Sequence, residues 1–283
     1  MPKSADGMYI PTERLAVFAA NTARESFPRG RTCGAAAARR TERALGRVRR
    51  ARDAAENAHS PAAEWLLDNW YLIEREGLGA AEEFAAARRL RAVSGGGTVI
   101  GFGAAALVRS GLGEVTAERM GAFLEGFQRA MPLERAELTL FAAAVRAELV
   151  AYIAARPEDV QVASSAVTSL RTLSTLDLSA VIEGADLTDA ILRRDPAGIY
   201  PGMDERTRGM YLTEITRLAR KRRTSEQKIA QTLLSLAEGA GPGEARHVGW
   251  WLLEKPLGGE NARGGAAAYA AANAALTVAV SAA

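Results

Sequence analysis

Apolar positions fall at helical spacing in segment after segment of this chain, and the breaks between segments are marked by glycine and proline. A first helix is predicted near residues 12–25, ending at "FPRGRTCG", where Pro28, Gly30 and Gly34 should break the chain. In the following "AAAARRTERALGRVRRARDAAENA" only Leu45 and Val48 stand among many arginines. That pattern predicts a mainly solvated rod with one narrow apolar stripe, ending near His59.

Ser60 and Pro61 read as the cap and first-turn proline of the next helix, with Glu64 placed where a carboxylate suits the positive end of the helix dipole. Trp65, Leu66, Trp70, Leu72 and Ile73 then cover a wide arc, so this helix should be buried around much of its circumference. Further helices are expected at about 79–92, 99–110, 116–130 and 133–155, with the glycines at 95–97, 111 and 113 separating three of them. Pro157 opens a stretch read as two helices divided near Ser174 to Asp177, the second ending before Pro196 because a residue preceding proline disfavours helix.

After the turn "AGIYPGM", the segment "DERTRGMYLTEITRLARKR" is amphipathic through Met210, Tyr211, Ile215, Leu218 and Ala219, with Asp204 as its N-cap. "TSEQKIAQTLLSLAEGAG" opens on Thr224 or Ser225 and stops at Gly239, and "EARHVGWWLLE" follows. No fixed-period self-similarity supports a repeat solenoid. Short connections favour antiparallel neighbours, so the expected fold is all-α, a multi-helix bundle of roughly ten antiparallel-packed helices. The expected division is residues 1–58 as N-terminal helices including the basic one, 59–255 as a helical domain, and 256–283 as a Gly/Ala-rich tail.

Composition supports helix over sheet, because alanine, leucine, arginine and glutamate dominate while aromatics make up 6%. At 283 residues either one large core or two smaller ones can form. A net charge of +3 is small for this length and gives no global field of the kind that holds nucleic acid, so the basic character is local. Cys33 is the sole cysteine, which excludes an intramolecular disulfide and fits a reduced, cytoplasmic setting. The amino-terminal apolar run is interrupted by Asn21 and Arg24 and does not read as a signal peptide. The uncharged tail is alanine-rich and contains Asn273; it is a weak candidate for a span, which needs about 20 strongly apolar residues, or for the approach to one.

Trp65, Trp70 and Tyr71 combine large apolar bodies with polar handles, a chemistry that suits either a helix junction or a sugar or partner surface. Asp68 and Asn69 between them could accept an indole N–H or cap a neighbouring helix. His59 and His247 are the only histidines and occupy no metal-ligand spacing, so no metal and no cofactor is expected and structural roles are favoured. "SGGGTVIGFGAA" places glycines before a helix but lacks the Lys-Ser/Thr of a P-loop and a preceding strand, and reads as a connection. The helix from Arg39 to Arg52 is compatible with phosphate backbones or anionic lipid; a solvated face with arginine stems over apolar neighbours is the simpler reading.

Three stretches, "AAEWLLDNWYLIE", "LRRDPAGIYPGMDERTRGMYLTEITRLA" with "SEQKIAQTLLSLA", and "RHVGWWLLE", together resemble the amino-terminal helical region of cyclic β-1,2-glucan synthases, large bacterial membrane enzymes. "FLEGFQRAMPLERAEL" and "VTSLRTLSTLDLSAVIE" fall between them in the same order, so the resemblance runs from about Ala62 to Glu254. Here Gly77 to Phe84 is shorter than the family's acidic stretch with paired tyrosines, and Trp250 and Trp251 stand where tyrosines are more usual. The family's aspartate motif for the sugar nucleotide and its Gln-x-x-Arg-Trp acceptor motif do not occur.

The resemblance implies an accessory or scaffolding domain that supports glucan assembly without being the transferase. It would lie on the cytoplasmic side or at the inner membrane, partnered by a neighbouring glycosyltransferase and membrane region of the same or another chain. Alternatives are a glucan-binding or catalytic part in glucosyl transfer, or binding of anionic membrane through the arginine helix, with nucleic acid disfavoured. Trp65, Trp70 and Tyr71 are expected at an interhelical junction whose core includes Trp250 and Trp251, with Asp68 and Asn69 fixing the backbone around it. Asp195, Tyr200, Asp204, Arg206, Arg208 and His247 are the remaining structural or ligand-binding candidates, the two arginines lying on different faces of their helix and free to meet a buried carboxylate or an anionic partner.

Overall fold

The computed structural model describes residues 8–55, 60–94 and 96–254, and within them the protein is a mostly helical bundle carrying a small two-stranded sheet. It divides into two compact units at Ala185/Asp186, inside the stretch 59–255 that the sequence reads as one domain. His59 and the tail 256–283 lie outside the described residues.

The first unit contains α1 (Thr12–Glu25), β1 (Pro28–Thr32), α2 (Ala35–Ala55), α3 (Pro61–Asp68), α4 (Trp70–Ala86), β2 (Leu90–Val93) and α5 (Val99–Ser110), followed by α6 (Ala117–Ala130), α7 (Arg135–Thr139), α8 (Phe141–Ala155), α9 (Val160–Thr175) and α10 (Ser179–Ala185). Its centre is α8, "FAAAVRAELVAYIAA", which is apolar nearly all round and therefore buried against α2, α4, α5 and α9. Phe123, Phe127 and Phe141 stack in the same core, their ring centroids 5.5 and 6.2 Å apart.

Short polar side chains start the helices as their positions predict. Ser60 accepts from Ala63 N at 3.2 Å, Thr98 from Gly101 N at 3.0 Å, and Thr116 from Arg119 N at 3.2 Å. Elsewhere the structure departs from the pattern. The stretch expected as a helix at 79–92 divides: through Ala86 it continues α4, and from Leu90 it is strand β2; a Cβ at Gly77 would come within 2.7 Å of Leu45, so glycine there permits the close approach of α2. The break falls at Asn69, and the expected 133–155 helix divides at Leu140.

The sheet was not expected. β1 and β2 pair antiparallel with Arg31 opposite Arg91 and Thr32 opposite Leu90, and the register shifts between Pro28 and Arg31, where Gly30 adopts φ +70°. Two arginines facing each other are tolerated because each finds its own carboxylate, one at the N-cap of α7 and one within it. Arg31 binds Glu134 at 2.7 and 2.5 Å, while the Arg91 side chain and backbone N–H meet the buried Glu137 at 2.5–3.0 Å.

The second unit contains α11 (Leu187–Leu192), a 3₁₀ turn (Tyr200–Gly202), α12 (Glu205–Arg222), α13 (Glu226–Glu238), a second 3₁₀ turn (Glu244–Arg246) and a π-turn (Trp250–Glu254). Its core gathers Leu192, Tyr200, Tyr211, Ile215, Leu233, Val248 and Leu252. Asp204 caps α12 and Ser225 caps α13. No helix among the described residues is long and apolar enough to cross a membrane.

The closest helix approach in the first unit tests this packing. A Cβ on Gly126 of α6 would lie 1.8 Å from the Ala16 carbonyl oxygen of α1, whereas one on Gly121 of the same helix would meet only Val181 at 4.0 Å. Gly126→Ala is expected to destabilise the unit by about 3 kcal/mol or more, and Gly121→Ala to be neutral or to stabilise by about 0.5 kcal/mol through helix propensity, as read by urea unfolding.

Candidate functional site

The aromatic cluster of the first unit is a junction, though a smaller one than its sequence suggests. Trp65 and Trp70 are half-buried and pack on the core, and Arg49 and Arg52 of α2 place their guanidinium carbons 5.5 and 4.5 Å from the centroid of the Trp70 ring. Asn69 fixes the backbone between α3 and α4. Its Nδ2 donates to the Trp65 carbonyl at 3.0 Å, and its Oδ1 accepts from Arg171 of α9 at 2.6 Å. Two expectations are corrected here. Tyr71 is 74% exposed and faces outward from α4, stacked only on Arg75, because helical geometry turns it 100° from Trp70; Asp68 is likewise exposed. Trp250 and Trp251 belong to the second unit, where Trp251 packs on that unit's own core and donates its indole N–H to the Ala245 carbonyl at 2.8 Å.

The densest polar arrangement lies in the second unit around Asp195. The turn after α11 carries this carboxylate into the core, where Oδ2 accepts from the backbone N–H groups of Ile199 and Tyr200 at 3.1 Å each and Oδ1 from Val248 at 3.0 Å. His247 Nδ1 lies 2.7 Å from Oδ2, and its Nε2 lies 3.0 Å from the Tyr211 hydroxyl on α12. With the ring proton on Nδ1, the imidazole donates to Asp195 and accepts from Tyr211, so the chain of polar atoms is satisfied. Gly249 makes it possible, since a Cβ there would sit 2.3 Å from the Tyr211 hydroxyl oxygen and 2.5 Å from His247 Nε2.

Burial alone would raise the Asp195 pKa. The His247 Nδ1–H hydrogen bond, with the N–H groups of Tyr200 and Val248, outweighs it and holds the carboxyl below its ordinary value. Beside this hub the Tyr200 hydroxyl donates to Asp189 at 2.8 Å, and Asp189 also meets Arg193 Nε at 2.5 Å and Arg208 at 3.7 Å. Burial first, then the Asp189 carboxylate, push the Tyr200 hydroxyl far above its usual range, so it serves as a permanent donor. Asp186 caps α11 through Thr188 and Asp189.

Asp195, Tyr200 and His247 are thus brought together as sequence reasoning placed them among the candidates. Asp204 acts as a cap whose Oδ1 accepts from Thr207 N at 2.9 Å, and those bonds lower its pKa. Arg208 is half-buried and turned towards Asp189, while Arg206 is exposed. Tyr211 was read only as part of an apolar stripe, and Asp186, Asp189 and Arg193 were not singled out. Asp186 had a legible signal, an acid two and three residues before the N–H groups it caps; the Tyr211–His247 pairing, spanning 36 residues, had none.

An Asp–His–Tyr chain has the parts of a proton relay. Here all three residues are buried and every ring nitrogen and carboxylate oxygen is already engaged inside the unit, so the arrangement fastens three chain segments together and presents no atom to a substrate. Among the described residues no group of three or more His, Cys, Asp or Glu side chains is placed to hold a metal ion. Among the described residues the protein is mostly helical, and its densest polar cluster is buried and hydrogen-bonded within the second unit. No protein-family model matches the chain, nor does any curated protein.

Removing the hub should be costly. Asp195→Ala leaves His247 and three backbone N–H groups without their acceptor and is expected to cost about 3–5 kcal/mol, against about 1–2 kcal/mol for Tyr211→Phe. The Asp195 pKa is lowered in the fold, so its stabilisation is present above the unfolded value near about 3.9 and is lost as pH falls through the folded one. Urea midpoints measured from pH 7 down to pH 2 should show a shallower acid limb in Asp195→Asn than in the wild type.

Proposed function

We propose that this protein is an accessory helical scaffold of the cyclic β-1,2-glucan synthase type, acting on the cytoplasmic side beside a glycosyltransferase and membrane region rather than carrying out transfer itself. The observation that supports the reading is the use made of the polar residues in the stretches that carry the resemblance. Asp195, Tyr200 and His247, from "LRRDPAGIYPGMDERTRGMY" and "RHVGWWLLE", are consumed in hydrogen bonds inside the second unit. Residues so used set the shape of a surface and leave none of these groups for acid–base work on a sugar. Likewise Trp70 has guanidinium groups over its ring, which removes the free face that stacking on a pyranose would need.

Transfer of glucose from a nucleotide donor needs charge neutralisation at the leaving diphosphate and a positioned acceptor hydroxyl. On this reading both come from the partner region. The purified chain, incubated with UDP-glucose, a divalent cation and β-1,2-gluco-oligosaccharide, is expected to give no glucosyl transfer. Placed in a cyclic β-1,2-glucan synthase in exchange for that enzyme's own amino-terminal helical region, it is expected to sustain glucan formation in membranes, and the same chimera carrying Asp195→Ala to lose it. Turnover by the chain alone, or a stably produced chimera that makes no glucan, would refute the reading.

A further inference from the structure

The arginines of α2 divide into two sets by what they touch. Arg40 is paired with Glu148 at 2.6 Å, Arg49 with Glu74 at 2.5 Å, and Arg52 with Asp53. Arg39, Arg43, Arg47 and Arg50 are all exposed, and among the described residues none of them has a carboxylate within ion-pair distance. At 100° per residue these four fall within one narrow sector of the helix, opposite Thr41, Ala44, Leu45 and Val48, which are buried. With a rise of 1.5 Å per residue they form a row about 16 Å long. The other positions in that sector are Ala36 and Ala54.

We propose that this row is a docking face for an anionic lipid surface, independently of the scaffold function above. Among the described residues none of the four guanidinium groups along this line has a carboxylate partner, Arg43 Nε donating only to the Arg39 carbonyl at 3.2 Å, whereas three neighbours on the same helix are spent on ion pairs. Their spacing lets all four meet a plane of phosphate headgroups at once. Two features favour a lipid plane over nucleic acid. The sector holds no aromatic ring for stacking and no amide or hydroxyl for reading base edges. α2 also lies along its length on α4 and α8 and does not protrude as a helix that could enter a groove. The sector has no large apolar side chain either, so binding would be peripheral, electrostatic and sensitive to salt.

The test is flotation of the full chain with phosphatidylcholine vesicles, with and without phosphatidylglycerol, at low and high salt. The wild type is expected to float with the anionic vesicles only and to be released by salt. R39Q/R43Q/R47Q/R50Q should weaken association by about a thousandfold, the corresponding four lysine substitutions should retain it, and R14Q/R194Q/R206Q/R246Q, which removes the same charge from four separate places, should stay within about twofold of the wild type. All four row side chains are exposed, so circular dichroism should be unchanged; should the glutamine variant lose helicity, R39Q/R43Q and R47Q/R50Q, each weakening association about thirtyfold, carry the test. The proposal is overturned if the wild type ignores anionic vesicles or if the scattered variant loses as much as the row variant. It is also overturned if duplex DNA or RNA competes the chain off vesicles at equal ionic strength through these four residues, which would make the face a nucleic-acid one.

Discussion

Asp195 and Glu137 solve the same physical problem, one in each unit. A chain rich in alanine and arginine makes helices readily, and a buried carboxylate that collects donors from distant segments adds specificity to their packing. Glu137 takes the side chain and backbone N–H of Arg91 and thereby ties the two-stranded ribbon to α7. Asp195 takes three backbone N–H groups and the His247 ring, and so ties the turn after α11 to the last described segment of the chain. A carboxylate is well suited to this work because its two oxygens accept several bonds at once, and because burial makes each of them costly to lose.

That constraint also shapes the functional reading. The residues that look most like chemistry, a histidine flanked by an acid and a phenol, are those the fold needs most. Tyr211, on the far side of His247, is as buried as the acid, and Gly249 is left without a side chain so that the two can meet. Polar groups used in this way hold distant segments of the second unit together. Exposed charge remains in the row on α2, for which no carboxylate among the described residues lies within ion-pair distance.

Much of the first-order architecture was legible. α1, α5, α6 and α12 begin and end close to where caps, glycines and apolar spacing put them, because those signals act within a few residues of each other. The misreadings share one cause. A separate helix beginning near residue 79 is not found, since α4 runs on through Gly77, whose missing Cβ lets Leu45 of α2 lie against it. "FPRGRT" was taken as a break, when Leu90–Val93, some 60 residues on, pairs with it as a strand. Trp251 was grouped with Trp65 and Trp70, and it serves a different core.

What the sequence determined by itself was local: helical class, the caps Ser60, Asp204 and Ser225, the arginine-rich rod, and a set of polar candidates that includes Asp195 and His247. Which of those candidates meet was decided only by tertiary structure. Tyr211 and His247 are 36 residues apart, Asp195 and His247 are 52, and nothing in the spacing of either pair marks them as neighbours. Short-range signals set φ and ψ and the amphipathic face of each helix. The partner of a buried polar group is instead fixed by packing of the whole unit, which brings distant segments within 3 Å and excludes the water that would otherwise satisfy them.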